Sequence, residues 1–388
     1  MKIRSLKPVL VTYPHGREVM SYFFLRIDSD DGLTGWGEAC DSYGCSYGTV
    51  LAAVVNDVYA PLLVGQELTA VEPLVERLRI FTRRRLGDQW VAPQARSAVE
   101  IALWDVAGQA AGRSVSSLIG RVHDRVHVYA SWSFLEEGSA EWHADKLAPA
   151  FQKGIRMVKL RTGPDWQADL ATMAALRRLL PSDVQLMVDG SETYTLPTAL
   201  EIAHRLQDLG VLWFEEPLPQ NARAGIEELA SKSPVAIAYG EHLFGREDAL
   251  DALRRGQLSV LQPDASTCGG ISEAREMAKV AQLYGARVVP HMSAGPLSLA
   301  ANLHLAATVP SIRALEYGLN GIPTRADLGS GADLSLDAVV DGQIAIPDAP
   351  GLGVRLNEEV AARYPYQAPG TRVSGTTGGL PDRFVGDR

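Results

Sequence analysis

Three short apolar runs, each closed by an acidic residue, restrict this chain more than any other feature. They are Gln185-Leu186-Met187-Val188-Asp189, Val211-Leu212-Trp213-Phe214-Glu215 and Val235-Ala236-Ile237-Ala238-Tyr239-Gly240-Glu241. Glu215 follows Asp189 by 26 residues, and Glu241 follows Glu215 by 26. Near-continuous apolar runs separated by amphipathic helical stretches are the pattern of parallel strands buried on both faces. A carboxylate at the C-terminal tip of three successive parallel strands converges with its neighbours at one end of a sheet or barrel. Crowded carboxylates resist ionising together unless a cation neutralises them. An all-oxygen donor set suits a hard ion, so Asp189, Glu215 and Glu241 are expected to hold Mg²⁺, with Mn²⁺ as the alternative.

The rest of the chain fits a soluble enzyme. Its 388 residues exceed one ordinary domain, so two are expected. Hydrophobic residues make up 46% and charged residues 21%, which excludes a disordered or fibrous chain. A net charge of −9 leaves only Arg83-Arg84-Arg85, inside an apparent helix, as a basic run, and this is expected to be a solvated face rather than a nucleic-acid site. Cys40, Cys45 and Cys268 are too few and too scattered for a disulfide framework or zinc cluster. Neither a signal-peptide pattern nor an apolar membrane span is present, so a cytoplasmic protein with no membrane partner is expected.

Near the start, an apolar stretch from Met20 to Asp28, the turn signal Asp30-Asp31-Gly32 and a second stretch from Leu33 to Ala39 predict a hairpin. The segments Tyr13 to Val19 and Cys40 to Gly48 read as covering loops. Helical spacing runs from Thr49 to Leu86 and again from Gln94 to Gly112. From Val126 the pattern alternates, with strands expected at 126–131, 157–162, 185–189, 211–215, 235–241, 259–264, 287–292 and 313–317. Eight strands repeating at this interval fit an α/β TIM-type barrel, whose reacting groups sit at the C-terminal strand ends. A doubly wound sheet would place G-x-G-x-x-G after its first strand, and none occurs there. Gly351-Leu352-Gly353 reads as a turn, and the Gly/Thr/Pro-rich stretch from Gln367 to Arg388 as a peripheral segment or oligomer arm.

In that frame every strand tip carries chemistry. Period-two alternation points Lys159 and Arg161 together into the barrel mouth, opposite the acids, where they can grip an anionic substrate. Asp264 and His291 end neighbouring strands, the pairing that orients an imidazole and raises its basicity. Glu316 ends the last strand and is expected to donate a hydrogen bond if acidic surroundings keep it protonated.

These residues, with Gly32-Leu33-Thr34-Gly35-Trp36-Gly37-Glu38, Ala98-Val99-Glu100-Ile101-Ala102-Leu103-Trp104-Asp105 and Gly269-Gly270-Ile271, resemble the enolase superfamily, specifically its mandelate racemase subgroup, in order and spacing over nearly the whole chain. The resemblance implies a (β/α)7β barrel spanning 126–320, a capping α+β domain at 1–125, and a C-terminal segment, 321–388, returning to the cap. It places the metal ligands on Asp189, Glu215 and Glu241, the His–Asp dyad on His291 and Asp264, and the electrophilic carboxyl group on Glu316.

One position departs from the pattern. Where the subgroup usually has a second lysine acting as base, this chain has Arg161, and a guanidinium is a poor proton acceptor. Racemisation needs bases on both faces of the substrate. Dehydration needs one base and one acid, and His291 can serve as both in turn. The resemblance therefore implies an acid-sugar dehydratase converting an aldonate or aldarate to a 2-keto-3-deoxy acid. A racemase, epimerase or cycloisomerase working through the same enediolate is the alternative, and a catalytically silent scaffold the alternative outside enzymes. A homo-oligomer, dimer or octamer, is also implied. His242 is expected to touch substrate or support a ligand, Glu192 and Tyr194 to face the pocket, and Glu216 to play a structural part. Tyr13, His15, Arg17 and Tyr43 are the capping-side candidates for the distal end of the substrate. Trp36 and Trp104 read as core.

Overall fold

The computed structural model describes residues 1–15, 18–40, 47–292 and 294–367, with the backbone alone at His15, Glu18 and Val19. Strands β1 (Ile3–His15), β2 (Glu18–Ser29) and β3 (Thr34–Ala39) form an antiparallel sheet in that order. The β1–β2 ladder continues to the pair His15↔Glu18. The expected loop from Tyr13 to Val19 is therefore mostly the end of a hairpin. Pro14 and Gly16 suggest a break, but cross-strand pairs such as Val11↔Tyr22 and Tyr13↔Met20 keep the two strands together. The helix Val71–Thr82 stops just before Arg83, Arg84 and Arg85, which are exposed as expected for a solvated face.

β3 lies against the long helix Val91–Ala111, and its glycines make this possible. A Cβ on Gly35 would stand 2.3 Å from the carbonyl oxygen of Ala102, and one on Gly37 2.0 Å from that of Ala98. Trp36, between them, is buried, as expected.

Eight parallel strands follow: β4 (Arg125–Phe134), β5 (Met157–Arg161), β6 (Gln185–Asp189), β7 (Trp213–Glu215), β8 (Ala236–Tyr239), β9 (Val260–Leu261), β10 (Arg287–Val288) and β11 (Ala314–Gly318). Their order is β10-β9-β8-β7-β6-β5-β4-β11. The Glu316 N–H donates to the Pro290 carbonyl at 3.2 Å, drawing the two ends together. Each expected strand is present, and the architecture is the expected α/β barrel with an antiparallel-sheet cap. Tyr129, Met187, Trp213, Ala238, Val260 and Val289 pack together as the barrel interior. Two residues further along these strands, alternation brings Lys159, Asp189 and Glu215 above that apolar layer.

Past the barrel, β12 (Gly329–Gly331) pairs with β14 (Val354–Leu356), while β13 (Gln343–Ala345) lies antiparallel to the start of β4. Pro365 bridges Val11, and the Thr12 N–H donates to Tyr364, so the chain does return to the cap. Most of the segment from Gln367 onward lies outside the described residues.

Three buried carboxylates join the cap to the barrel and to the segment after it. Glu38 on β3 accepts from the N–H groups of Gly295 (2.5 Å), Leu297 (3.0 Å) and Ser298 (2.9 Å) at the start of the helix Pro296–Thr308. Glu100 does the same for the helix Ile271–Leu283 through Ile271 and Ser272, both at 2.9 Å. Asp105 takes the N–H of Trp36 and that of Leu352, each at 2.8 Å. Carboxylates at helix N-termini meet unpaired N–H groups and the positive end of the macrodipole. Trp104 is half-buried at the same seam, packs against the core on both sides, and donates to Glu100 and Ser272.

The helix Pro296–Thr308 is buried along its whole length and contains His304. The imidazole accepts from the Ser116 N–H at 3.2 Å through Nδ1 and meets the Leu352 carbonyl at 3.1 Å through Nε2, which suits the neutral ring. Burial pushes its pKa down from 6.5 to about 4. Stability is then full above pH 6.5 and declines as pH falls toward 4, because only the unfolded chain takes up the proton readily. The expected loss is roughly 3 kcal/mol. Urea unfolding at pH 7.0 and 4.5 measures it, and His304→Gln is expected to flatten the dependence.

Candidate active site

Lys159 is the hub of the barrel mouth. Its ammonium has no exposed surface, lies 2.9 Å from Glu316 Oε1 and 3.6 Å from Asp189 Oδ2, and donates to Glu215 Oε1. Burial alone would strip its proton, but Glu215, Glu316 and Asp189 hold the pKa well above the usual lysine value. Arg161 Nε stands 3.3 Å from Asp189 Oδ2. Both strand-two cations therefore face the acids.

Other side chains fix those acids. Asp189 Oδ1 accepts from the Ser191 N–H at 2.8 Å and its hydroxyl at 3.1 Å. Glu215 Oε2 accepts from Gln262 at 2.6 Å and from the Trp213 indole at 3.2 Å. Burial nonetheless pushes the Glu215 carboxyl up to about 7.

His291 and Asp264 meet as expected, Nδ1 to Oδ2 at 3.0 Å. The other oxygen of Asp264 is held by the Ser266 N–H and hydroxyl, both at 2.7 Å, and by Asn302 at 2.9 Å. On its far side His291 Nε2 lies 3.1 Å from Glu241 and 3.9 Å from Glu316. Burial opposes protonation of the ring, but Glu241, Glu316 and Asp264 raise its pKa well above 6.5.

The expectation for Glu316 needs correcting. Burial would push its carboxyl up, yet Lys159, His291 and the Ser131 hydroxyl outweigh that and hold it down at about 2. In this arrangement it is an ionised acceptor, not a donor.

Asp189, Glu215, Glu241, Asp264 and Glu316 thus face two fixed cations and one imidazole. That excess of negative charge, with oxygen-only donors on Asp189, Glu215 and Glu241, fits a divalent cation such as Mg²⁺. The donors brought within 4.8 Å of one another, however, are those of Glu192, Glu216 and His242. His242 Nδ1 is 3.1 Å from Glu216, and although burial lowers its pKa, Glu216, Glu241 and Glu192 raise it to about 10. This second group forms ion pairs beside Glu241, whose carboxylate lies 3.9 Å from His242 Nε2. Glu216, expected to be structural, belongs to it.

A cleft open at its mouth borders this network. Arg161, Glu316, Ser131 and Trp132 line it from the barrel, Met20 and Tyr22 from the cap, and Arg325 from the segment after β11. Of the capping-side residues expected at the distal end of the substrate, Tyr13 is the one whose side chain is described. Tyr13 is buried, donates to Asp327 and packs on Tyr364 with ring centroids 4.6 Å apart. Its burial next to Asp327 raises the phenol pKa, and Tyr13 is not among the residues lining the cleft. The side chain of His15, and Arg17 and Tyr43 entirely, lie outside the described residues. Tyr194 is buried with its hydroxyl on the Gly163 carbonyl at 2.8 Å, while Glu192 accepts from the Gln220 N–H at 3.0 Å.

The comparisons with known proteins agree with this architecture. The family profile for the mandelate racemase / muconate lactonizing enzyme N-terminal domain matches residues 2–120, and that for the enolase C-terminal domain-like family matches 143–360. The D-galactarolactone cycloisomerase of Agrobacterium fabrum is 30% identical over 360 residues, covering 90% of this chain and 92% of its own. The arabinonate dehydratase of Saccharolobus solfataricus is 30% identical over 341 residues, covering 87% and 89%. A solved enolase-superfamily structure from Polaromonas sp. JS666 superposes with a TM-score of 0.83 at 27% identity, over 95% of this chain and 98% of that one. The chain belongs to the enolase superfamily, in its mandelate racemase subgroup. It is an enzyme of that superfamily. Among the described residues no helix is long and apolar enough to cross a membrane.

Proposed function

We propose that the chain is a Mg²⁺-dependent acid-sugar dehydratase that abstracts the proton α to a carboxylate and eliminates the β-hydroxyl. The observation carrying this reading is the asymmetry of the site. One imidazole, oriented by Asp264, stands on one side, and on the other Arg161 replaces the lysine a second base would need. A divalent cation held by Asp189, Glu215 and Glu241 would polarise the substrate carboxylate and relieve the charge on Glu241 that keeps His291 protonated.

Lys159 and Arg161 bind the carboxylate and neutralise charge as it becomes an enediolate. His291 Nε2 takes the α-proton while Asp264 holds Nδ1–H in place. The β-carbon–oxygen bond then breaks, and the same imidazolium delivers its proton to the departing hydroxide as water. The enol product rearranges to a 2-keto-3-deoxy acid. Ser131 and the ionised Glu316 are placed to accept from substrate hydroxyls.

A second reading, a lactone cycloisomerase, is supported by the 30% identity to D-galactarolactone cycloisomerase over 90% of the chain. Its leaving group would be a carboxylate, which needs no protonation, so a single base also suffices there.

Incubating the protein and Mg²⁺ with mono- and di-acid sugars and their lactones, with semicarbazide detection of 2-keto products, tests both readings. Turnover of open-chain acids supports the dehydratase, turnover of lactones alone the cycloisomerase, and silence with no α-proton exchange in D₂O sinks both. Arg161→Met is expected to lower kcat/KM about 10- to 100-fold, mostly through KM, as for loss of a charge-assisted hydrogen bond. Loss of all α-proton exchange in that variant would instead make Arg161 a base.

A further inference from the structure

Arg325 stands out in the cleft. It lies on the helix Ile322–Leu328, just after β11, and is only 4% exposed. One guanidinium nitrogen donates to the Gly318 carbonyl at 2.7 Å, and the group stacks on Tyr317 with its carbon 4.7 Å from the ring centroid. Nε has no hydrogen-bond partner among the described residues, and no carboxylate among them forms an ion pair with the group. Buried guanidinium groups are ordinarily matched to an anion, because leaving one unpaired away from water is costly. This one borders the same cleft as Arg161 and Glu316.

The sheet sets the backbone separation. Gly318 pairs with Ser131 on β4, and Ser131 with Lys159 on β5, so the backbones that position Arg325 and Lys159 lie two strand spacings, about 10 Å, apart. An extended short-chain di-acid can span that gap with a charge-assisted hydrogen bond at each end.

We propose that Arg325 binds a second, distal carboxylate, and that the substrate is a di-acid: an aldarate or its mono-lactone, not an aldonate. This rests on the proposed enediolate chemistry for the orientation of the ligand, with the reacting carboxylate at Lys159 and Arg161. Gly321 serves the same group. A Cβ there would stand 2.7 Å from Nη1 of Arg325, so any larger residue would displace the guanidinium.

The test is calorimetric binding of galactarate and galactonate, with Mg²⁺, to a His291→Asn protein that leaves the ligand intact. Galactarate is expected to bind at least 10-fold more tightly. Adding Arg325→Met is expected to weaken galactarate about 10- to 100-fold and galactonate less than about 3-fold. Gly321→Ala, which keeps the charge but crowds it, is expected to act in the same direction more weakly and covers the case of a poorly folded Arg325→Met protein. Equal binding of the two acids, or equal losses in the variants, would overturn the proposal. Separately, wild-type protein is tested for α-proton exchange with both acids. Arg325-dependent galactarate binding without exchange would overturn the enediolate reading and leave the distal site standing.

Discussion

Replacing His291 with asparagine is expected to lower kcat by about a thousandfold or more while leaving the fold intact. The size of the effect follows from how few bases the site contains. Lys159 is buried against Glu215, Glu316 and Asp189, which keep its proton in place. Arg161 is a guanidinium, Asp264 is committed to Ser266, Asn302 and His291, and Glu316 is tied to Lys159. Among the described residues, His291 is the imidazole whose Nε2 faces Glu241 and Glu316 while Asp264 fixes its tautomer. Asparagine can keep the polar contact with Asp264 and has no proton-accepting nitrogen. The checks are kcat with the best substrate from the acid library, α-proton exchange in D₂O, and a melting temperature within about 3 °C of wild type. Undiminished exchange in a folded variant would move the base elsewhere and end the single-histidine mechanism.

Glu38→Gln is expected to be the most damaging conservative change in the cap, at about 3–5 kcal/mol of stability. The carboxylate is fully buried and satisfies three N–H groups of the segment Gly295–Ser298. An amide has one acceptor oxygen and turns its NH₂ group toward donors that it repels, leaving at least one N–H unpaired at the positive end of a helix. The expected fall in melting temperature is roughly 5–10 °C.

A catalytic effect should accompany it. The capped helix carries Asn302, which holds Asp264, and begins just after His291. A looser helix loosens the dyad, so kcat should fall more than KM changes. Thermal unfolding together with steady-state kinetics measures both, and a melting temperature unchanged within 2 °C would show that the three hydrogen bonds carry little.

How much of this was readable in advance differs from residue to residue. Strands buried on both faces must be apolar almost throughout, so a charged residue closing such a run marks a strand tip, and Asp189, Glu215, Asp264 and Glu316 were found in that way. The hairpin end around Pro14 was hidden by residues that break regular structure locally and are overridden by cross-strand pairing. Gln262 and Asn302 act through partners 47 and 38 residues away, a relation no local pattern encodes. Ser191 and Ser266 did leave a signal. Each lies two positions after an aspartate and returns both its N–H and its hydroxyl to that carboxylate, the geometry of an Asx turn. Arg325 left none, since a lone arginine on a short helix becomes notable only once no carboxylate among the described residues is found to pair with it.

The carboxylates that tie the cap to later parts of the chain also bear on how the chain is made. Glu38 is translated 257 residues before Gly295, Asp105 247 before Leu352, and Glu100 171 before Ile271. While a ribosome is still adding the barrel, the cap has left the exit tunnel with three carboxylates that lack their later partners, although Asp105 already has Trp36 and Glu100 already has Trp104. Its sheet and long helix can form early, but the later hydrogen bonds of those acids wait for the segments from Ile271 to Leu352, so the seam closes well after the cap itself. A nascent chain halted before Leu352 should therefore expose the face of the helix Val91–Ala111 that the finished protein buries, and that face is where a chaperone would bind.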